Sequence, residues 1–327
     1  MTLHRRGFLQ WAVAATALPS LLRVARAETW PTRPVRILVA TSAGGTTDLV
    51  ARIIAQRLGD RLGQSFIVEN RPGGGNNIGT EAAVRAAPDG YTLFMANTVN
   101  AINTTLYQNL AFNFTTDMAP VANVVRSMLL VNVHPSVPAK TIPELIAYAK
   151  ANPGKVNMGS GGSGSTGHVS GELFAMMAGI KMVHVPYRGE SMALADLIKG
   201  QVQVVVATTG SSIQFVKGGQ LRALAVTGTT RWPSLPEVPP LAEFLPGYEA
   251  SSWSGLCAPK DTPTPIVELL NREVNAALGD AELRARLAEM GAPADTRANS
   301  PADFGRTIVA DTEKWAKVIR FSGAKAN

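Results

Sequence analysis

One arrangement of residues occurs twice in this chain: a short apolar strand, a loop rich in glycine, serine and threonine, and the start of a helix. The first copy covers residues 35–58 and the second covers residues 156–177. The copies begin about 120 residues apart, which is too far for a solenoid repeat and suits two lobes that each present one loop. Together with alternating apolar runs and amphipathic stretches elsewhere, this arrangement predicts an α/β fold with mainly parallel strands.

The other elements follow from periodicity and from helix-capping residues. Short apolar runs predict further strands at 66–68, 92–96, 128–133, 182–185, 202–207 and 221–226. A capping-box spacing that begins at Thr141 predicts a helix to about residue 151. Later helices are predicted at 264–278 and 281–290, and a last one is capped by Ser300 and ends near Gly323. The proline-rich passage after Trp232 shows neither period and is interpreted as a surface crossing between lobes.

The first 27 residues have the three parts of an export signal. Arg5-Arg6-Gly7-Phe8-Leu9 is followed by an apolar run from Trp11 to Leu22 and then by Ala25-Arg26-Ala27, a small-residue pattern typical of a cleavage site. The paired arginines resemble the twin-arginine motif, whose pathway carries folded proteins, and a Sec signal is the alternative. The apolar run is shorter than the roughly 20 residues that a membrane-spanning helix needs. The segment therefore predicts export to the periplasm, without an anchor.

This segment also accounts for much of the apparent basicity. Four of the 31 basic residues lie in it and none of the acids, so 27 basic residues remain against 24 acidic ones. The remaining basic residues do not cluster, and no nucleic-acid partner is expected. Cys257 is the single cysteine, which excludes an intramolecular disulfide, and its apolar neighbours predict a buried strand residue. With 46% hydrophobic residues, the chain can be held by a large core instead.

The two glycine-rich loops carry the first functional hypothesis. A helix N-terminus has unpartnered backbone NH groups and a partial positive charge, so a loop that leads into it can bind an anion. Two such ends facing each other would clamp a carboxylate. Hydroxyl groups in the loops would add donors without charge: Ser42, Thr46, Thr47, Ser160, Ser163, Ser165 and Thr166. The alternative is that these residues only cap helices, and capping is the favoured role of Asp48.

A dinucleotide site is the competing hypothesis. Residues 162–167 match G-x-G-x-x-G between a strand and a helix, and Glu190 lies where a ribose-binding acid is expected. This pattern leaves a twin-arginine-exported NAD(P)-dependent oxidoreductase as the alternative function. No G-x-S-x-G motif of a hydrolase is present. The four histidines are scattered in the sequence without the spacing of a metal site: His4, His134, His168 and His184.

Six motifs occur in one order along the chain: Asn70–Gly75, Ala87–Leu93, Gly159–Ser165, His184–Gly189, Leu221–Val226 and Lys314-Trp315. In this order they resemble the tripartite tricarboxylate transporter substrate-binding proteins, also called Bug proteins, and the likeness extends from Trp30 nearly to the C-terminus. The resemblance implies a periplasmic-binding-protein type II-like fold, with two α/β lobes around a ligand cleft and a hinge of two crossings. Lobe 1 would comprise residues 28–127 and 252–327, and lobe 2 would comprise residues 128–251.

The resemblance also implies a function. The protein would be a monomeric receptor, without catalysis, cofactor or metal, that binds a small organic acid and delivers it to membrane transporter subunits. A receptor that feeds a signalling partner is an alternative. The ligand would be held by the two loops and by residues that follow two further strands: Ser42, Ala43, Gly44, Gly45, Thr46, Thr47, Asp48, Asn97, Thr98, Ser160, Gly161, Gly164, Ser165, Thr166, Thr208 and Thr209.

The chain departs from the family pattern at three places. Where the family usually has a proline-rich P-F-x-P-G-G, residues 40–45 read Ala-Thr-Ser-Ala-Gly-Gly. Gln203 stands where the family often has aspartate, and Thr104 stands where it often has proline. These differences leave the expected fold unchanged and leave the identity of the carboxylate open.

Overall fold

A computed structural model describes residues 30–326 of the chain. The strands in this range are β1 (Val35–Val39), β2 (Phe66–Asn70), β3 (Thr92–Asn97), β4 (Met118–Val133), β5 (Asn157–Ser160), β6 (Val183–Pro186), β7 (Val204–Thr208), β8 (Arg222–Val226) and β9 (Ser251–Pro259). The α-helices are α1 (Thr46–Leu62), α2 (Asn77–Val84), α3 (Thr98–Leu106), α4 (Phe114–Asp117), α5 (Ile142–Ala151), α6 (Thr166–Ala178), α7 (Glu190–Ile198), α8 (Thr209–Lys217), α9 (Thr264–Leu278), α10 (Ala281–Glu289) and α11 (Pro301–Ser322). The predicted signal, residues 1–27, lies outside the described residues.

The strands form one sheet in the order β2-β1-β3-β9-β4-β7-β5-β6, and β8 also pairs with β4. Residues 118–128 of β4 pair with β9, whereas residues 129–133 pair with β7 and β8. The sheet therefore has a first half (β2, β1, β3, β9 and residues 118–128) and a second half (residues 129–133, β7, β5, β6 and β8). One continuous strand, β4, joins the two halves.

The α/β class is confirmed, but the strands are less uniformly parallel than predicted. β1 pairs in parallel with β2 and β3, and β5 pairs in parallel with β6 and β7. The pairs of β4 and β9 are antiparallel. The predicted strand at 128–133 is only the end of β4, since Asn123 and Arg126 interrupt the apolar run before it.

Capping residues set the helix ends as predicted. The Thr141 side chain accepts from the Glu144 amide at the start of α5. Ser300 and Asp303 form a reciprocal capping box before α11, which ends at the left-handed Gly323. The bounds of α9 match the prediction. The helices α2, α3, α4, α7 and α8 were not predicted; α3 and α8 each follow a strand without an intervening loop, so no loop composition marked their starts.

The core consists of packed clusters on both halves of the sheet. One cluster lies beneath the first half and includes apolar side chains of α1 and α9. A second cluster lies beneath the second half and also receives side chains of α3 and α11, among them Leu106, Trp315 and Ile319. The last helix therefore packs into the core of residues 128–251. Cys257 in β9 is fully buried, as predicted.

The passage from Trp232 to Ala250 has only one short 3₁₀ turn, at Leu241–Glu243. Its interpretation as a surface crossing needs correction, because its apolar side chains are buried: Leu235, Val238, Leu241 and Tyr248. The Tyr248 hydroxyl donates to the Ser170 carbonyl oxygen at 3.0 Å. The passage is thus a cover over the second half of the sheet.

Within residues 30–326, no helix combines the length and the apolar character that crossing a bilayer demands. The longest helix, α11, alternates buried apolar residues with charged ones.

Candidate functional site

A cavity of about 440 Å³ opens where the two halves of the sheet meet. The first half contributes the start of α1 and the end of α10, the second half contributes α7 and α8, and β4 and β9 form the floor. Seven of the thirteen lining residues carry a hydroxyl and one carries a carboxylate: Thr46, Thr47, Val125, Ser127, Glu190, Thr208, Gly210, Ser211, Ser252, Trp253, Ser254, Met290 and Gly291. The cavity can therefore offer many neutral hydrogen-bond donors to a small polar solute.

The start of α1 forms the first wall. Its N-cap, Gly45, is extended and makes no side-chain cap, so the first amides of the helix keep their capacity to bind an anion. The Thr47 hydroxyl lies 3.5 Å from the Ser254 hydroxyl and accepts from the Asn97 side-chain amide at 3.4 Å. The expected residues Ser42, Ala43, Gly44 and Gly45 are exposed in the loop before this wall.

Asp48 holds this loop in shape. Its buried carboxylate accepts from the Gly44 amide at 2.8 Å, from Arg52 Nε at 3.0 Å and from Asn70 Nδ2 at 2.9 Å. Burial acts to raise the pKa of the Asp48 carboxyl, but these hydrogen bonds and the Arg52 charge outweigh it and hold the pKa below its usual value. The carboxylate thus positions the loop and does not cap α1, the role favoured from the sequence.

The second glycine-rich loop is bound internally. Ser165 caps α6 by accepting from the His168 amide at 3.3 Å. Ser160 Oγ lies 2.6 Å from His184 Nε2, and the Gly164 amide donates to His168 Nδ1 at 3.1 Å. Of the described residues that line the cavity, none comes from the expected set in this loop, which is Ser160, Gly161, Gly164, Ser165 and Thr166.

Two histidines that are separate in the sequence meet behind this loop. The rings of His168 and His184 stack with centroids 3.6 Å apart and planes 10° apart. Burial lowers the pKa of His184 to about 4, and the neighbouring His168 adds to that effect. These residues are scattered in the sequence, and the pairing of β5 with β6, which brings His184 to the loop, is a tertiary contact. Among residues 30–326, no three His, Cys, Asp or Glu side chains are grouped as a metal site.

The second wall is built around Glu190, the first residue of α7. Its carboxylate accepts from the Thr208 amide at 3.1 Å and from the Thr208 hydroxyl at 2.7 Å. The Ser211 hydroxyl also donates to it through a short hydrogen bond. Thr208 is among the ligand-binding residues expected from the sequence, whereas Glu190 was expected there only as a ribose-binding acid. Ser211 lies one helical turn beyond the strand end, and that spacing could have identified it.

The other expected residues take structural roles. Asn97 caps α3 in a reciprocal capping box with Asn100. The Thr98 hydroxyl accepts from the Trp253 amide at 2.8 Å. Thr209 is buried, and its hydroxyl has no hydrogen-bond partner within the described part of the chain.

The two walls also touch within the lining of the cavity. Gly210 of α8 lies against Gly291, which follows α10, and a Cβ on either residue would meet the other's backbone. The Ser127 hydroxyl donates to the Gly291 carbonyl oxygen at 2.8 Å. This contact sets how closely the second half of the sheet approaches the first.

A mixed α/β sheet in two halves, joined by a long strand and enclosing a hydroxyl-lined cavity, defines a solute-binding protein of the periplasmic class. The chain belongs to the tripartite tricarboxylate transporter family of receptors, TctC, whose family model matches residues 50–323. The family resemblance stated from the sequence motifs is confirmed, and this family consists of solute-binding receptors.

Solved structures agree with this assignment. The R. palustris protein Rpa4515 with adipate is 38% identical with a TM-score of 0.79, and the match covers 91% of this chain and 100% of that one. The periplasmic binding protein BugD is 31% identical with a TM-score of 0.76, covering 91% and 100%. MatC from Rhodopseudomonas palustris with bound malate is 30% identical with a TM-score of 0.76, covering 88% and 99%. The predicted periplasmic-binding-protein fold is confirmed.

Proposed function

We propose that this protein is a periplasmic receptor that binds one small organic carboxylate in the cavity and delivers it to membrane transporter subunits. The observation that carries the proposal is the lining of the cavity, in which seven hydroxyl side chains accompany the uncapped start of α1. The hydroxyls of such a lining donate hydrogen bonds to a carboxylate. The partial positive charge at the start of α1 stabilises the negative charge of that carboxylate. The adipate and malate of the related structures support the same ligand class.

The sixteen residues expected from the sequence are retained as the proposed site. Support is strongest for Thr46, Thr47 and Thr208, because these three line the cavity. The second loop is proposed to approach the ligand when the lobes close. Because Ser160 and Ser165 use their hydroxyls within the loop and its helix, backbone groups would make its contacts.

The closing motion is proposed to occur between lobe 1, residues 28–127 with 252–327, and lobe 2, residues 128–251. Residues 127–133 of β4 and the segment 226–252 would carry the two crossings. Small-angle scattering with and without ligand tests the division, since closure reduces the radius of gyration. An unchanged radius at saturating ligand would contradict it.

A thermal-shift screen tests the ligand class. The purified protein is heated with organic acids, amino acids and NAD(P)H. A ligand at 100 times its Kd stabilises the folded state by about 2.7 kcal/mol. We expect at least one small carboxylate to raise the melting temperature and the nucleotides to have no effect. A shift with NAD(P)H alone would instead support the oxidoreductase alternative.

Export and delivery form the last part of the proposal. The signal in residues 1–27 is proposed to use the twin-arginine route, and replacement of Arg5 and Arg6 by lysine would then block export, whereas a Sec substrate would tolerate it. The receptor is proposed to act as a monomer, which light scattering on a sizing column tests.

Capture of transporter subunits from membranes, in the presence of ligand, tests the partner. Capture of a sensor would point to the signalling alternative.

A further inference from the structure

The carboxylate of Glu190 occupies the wall of the cavity that a second ligand carboxylate would need. Three donors on that wall, the Thr208 amide, the Thr208 hydroxyl and the Ser211 hydroxyl, all donate to Glu190. The Glu190 carboxylate thus lies at the start of α8, where it takes the place of a ligand anion. A dicarboxylate that reached this wall would find these three donors already in use.

The charge of the cavity lining also disfavours a second carboxylate on the ligand. Among the described residues that line the cavity, Glu190 is the only one with a charged side chain, and lysine, arginine and histidine are absent from the lining. A second anionic group would approach Glu190 without a counter-ion in the lining, and like charges repel strongly where water is partly excluded. A cationic group would be attracted instead.

The acceptor capacity of Glu190 is not exhausted. A carboxylate has about four lone-pair positions on its two oxygens. Two of the three internal donors bind Oε1, and one, the Thr208 amide, binds Oε2. Oε2 can therefore accept one more hydrogen bond.

We propose that Glu190 determines ligand specificity by selecting a small carboxylate with an ammonium group at its other end and by rejecting dicarboxylates of similar length. The ligand carboxylate would lie at the start of α1, beside Thr46 and Thr47, and the ammonium would donate to Glu190. This assignment rests on the proposed carboxylate receptor and narrows its ligand class.

Titration calorimetry with ligand pairs of matched length tests the assignment. The pairs are adipate with 6-aminohexanoate and succinate with 4-aminobutanoate. For the unmodified protein, we expect the amino acid of at least one pair to bind at least tenfold more tightly than the dicarboxylate. Glu190→Ala frees the Thr208 and Ser211 donors, so the preference should reverse in that variant. Glu190→Gln removes the charge but keeps the side-chain size, and it should abolish the preference.

Glu268→Ala is the matched control, because Glu268 is exposed on α9 and the charge change is the same. It should leave the preference unchanged, and melting curves verify that each variant is folded. Tighter binding of the dicarboxylates by the unmodified protein, or a preference that is the same with and without Glu190, would overturn the assignment while leaving the receptor function intact. If no carboxylate binds any of the four proteins, both proposals fail.

Discussion

Gly210 and Gly291 meet backbone to backbone, and a Cβ on Gly291 would lie only 2.3 Å from the Cα of Gly210. Gly210 belongs to α8 on the second half of the sheet, and Gly291 follows α10 on the first half. The distance between the two walls of the cavity therefore depends on the absence of a side chain at this contact.

Gly210→Ala should act as a wedge between the walls. Its Cβ would lie 3.0 Å from both the Gly291 Cα and the Met290 carbonyl oxygen, and backbone atoms yield less easily than a flexible side chain. We expect carboxylate binding to weaken about tenfold, or 1.4 kcal/mol, as measured by calorimetry. Gly305→Ala is the control, because its Cβ would make only an ordinary 3.5 Å contact with Pro120. Equal binding by both variants would exclude a role for the glycine contact.

Thr47→Val should weaken ligand binding without unfolding the protein. Valine keeps the shape of threonine but removes the hydroxyl that lies 3.5 Å from the Ser254 hydroxyl in the cavity lining. A hydrogen bond to a charged group contributes about 1.5–3 kcal/mol, so the Kd for a carboxylate should rise by roughly one order of magnitude or more. Thr312→Val, on α11 away from the cavity, should leave the Kd unchanged. A Thr47→Val protein that binds as tightly as the unmodified one would remove Thr47 from the site.

His184 should make the fold less stable in acid. Its pKa of about 4 in the folded protein lies below the ordinary 6.5, so the unfolded chain binds a proton that the folded chain does not. The stabilisation is fully present above about pH 6.5 and is lost as the pH falls towards 4. Because the ring is partly exposed, solvent screening reduces the effect to roughly 1–2 kcal/mol at pH 4.5.

Urea unfolding at pH 7 and pH 4.5 measures this effect. In His184→Gln the loss of stability between the two pH values should be smaller, although the variant also loses the bond to Ser160. His134→Gln serves as the control, because His134 lies at the end of β4 away from the stacked pair. An unchanged pH dependence in His184→Gln would show that other groups control the acid response.

The thiol of Cys257 should be inert in the folded protein. The residue is completely buried, and burial raises the pKa of its thiol above the usual range. A thiol reagent at pH 8 should label the native protein on the order of 100-fold more slowly than the urea-unfolded chain. Ala310→Cys adds an exposed thiol on α11 and should take up one equivalent of reagent in the native state. Rapid native labelling of the unmodified protein would disprove the burial.

Local patterns predicted much of the secondary structure. The ends of α5 and α11 followed from Thr141, Ser300 and Gly323, because capping is decided by residues within one turn of the helix end. The length of β4 was missed, because Asn123 and Arg126 are stabilised by partners more than 160 residues away. No local pattern contains such partners.

Some residues of the candidate site were predicted from local patterns, and others were missed because they depend on tertiary contacts. Thr46, Thr47 and Thr208 were found, because they follow strands at positions where α/β sheets place ligands. Ser254 and Gly291 were missed, since they come from the C-terminal part of the chain and reach the cavity only through the pairing of β9 with β4 and the position of α10.

The sequence alone was sufficient to predict the α/β class, the family and the two loops that lead into helices, because these features depend on periodicity, capping and short motifs. Only the tertiary structure decided which loop faces the cavity and which is bound internally by His168 and His184. It also decided that Glu190 meets Thr208. Strand pairing brings these side chains together from distant positions, and their hydrogen bonds are made in three dimensions, so no spacing along the chain encodes them.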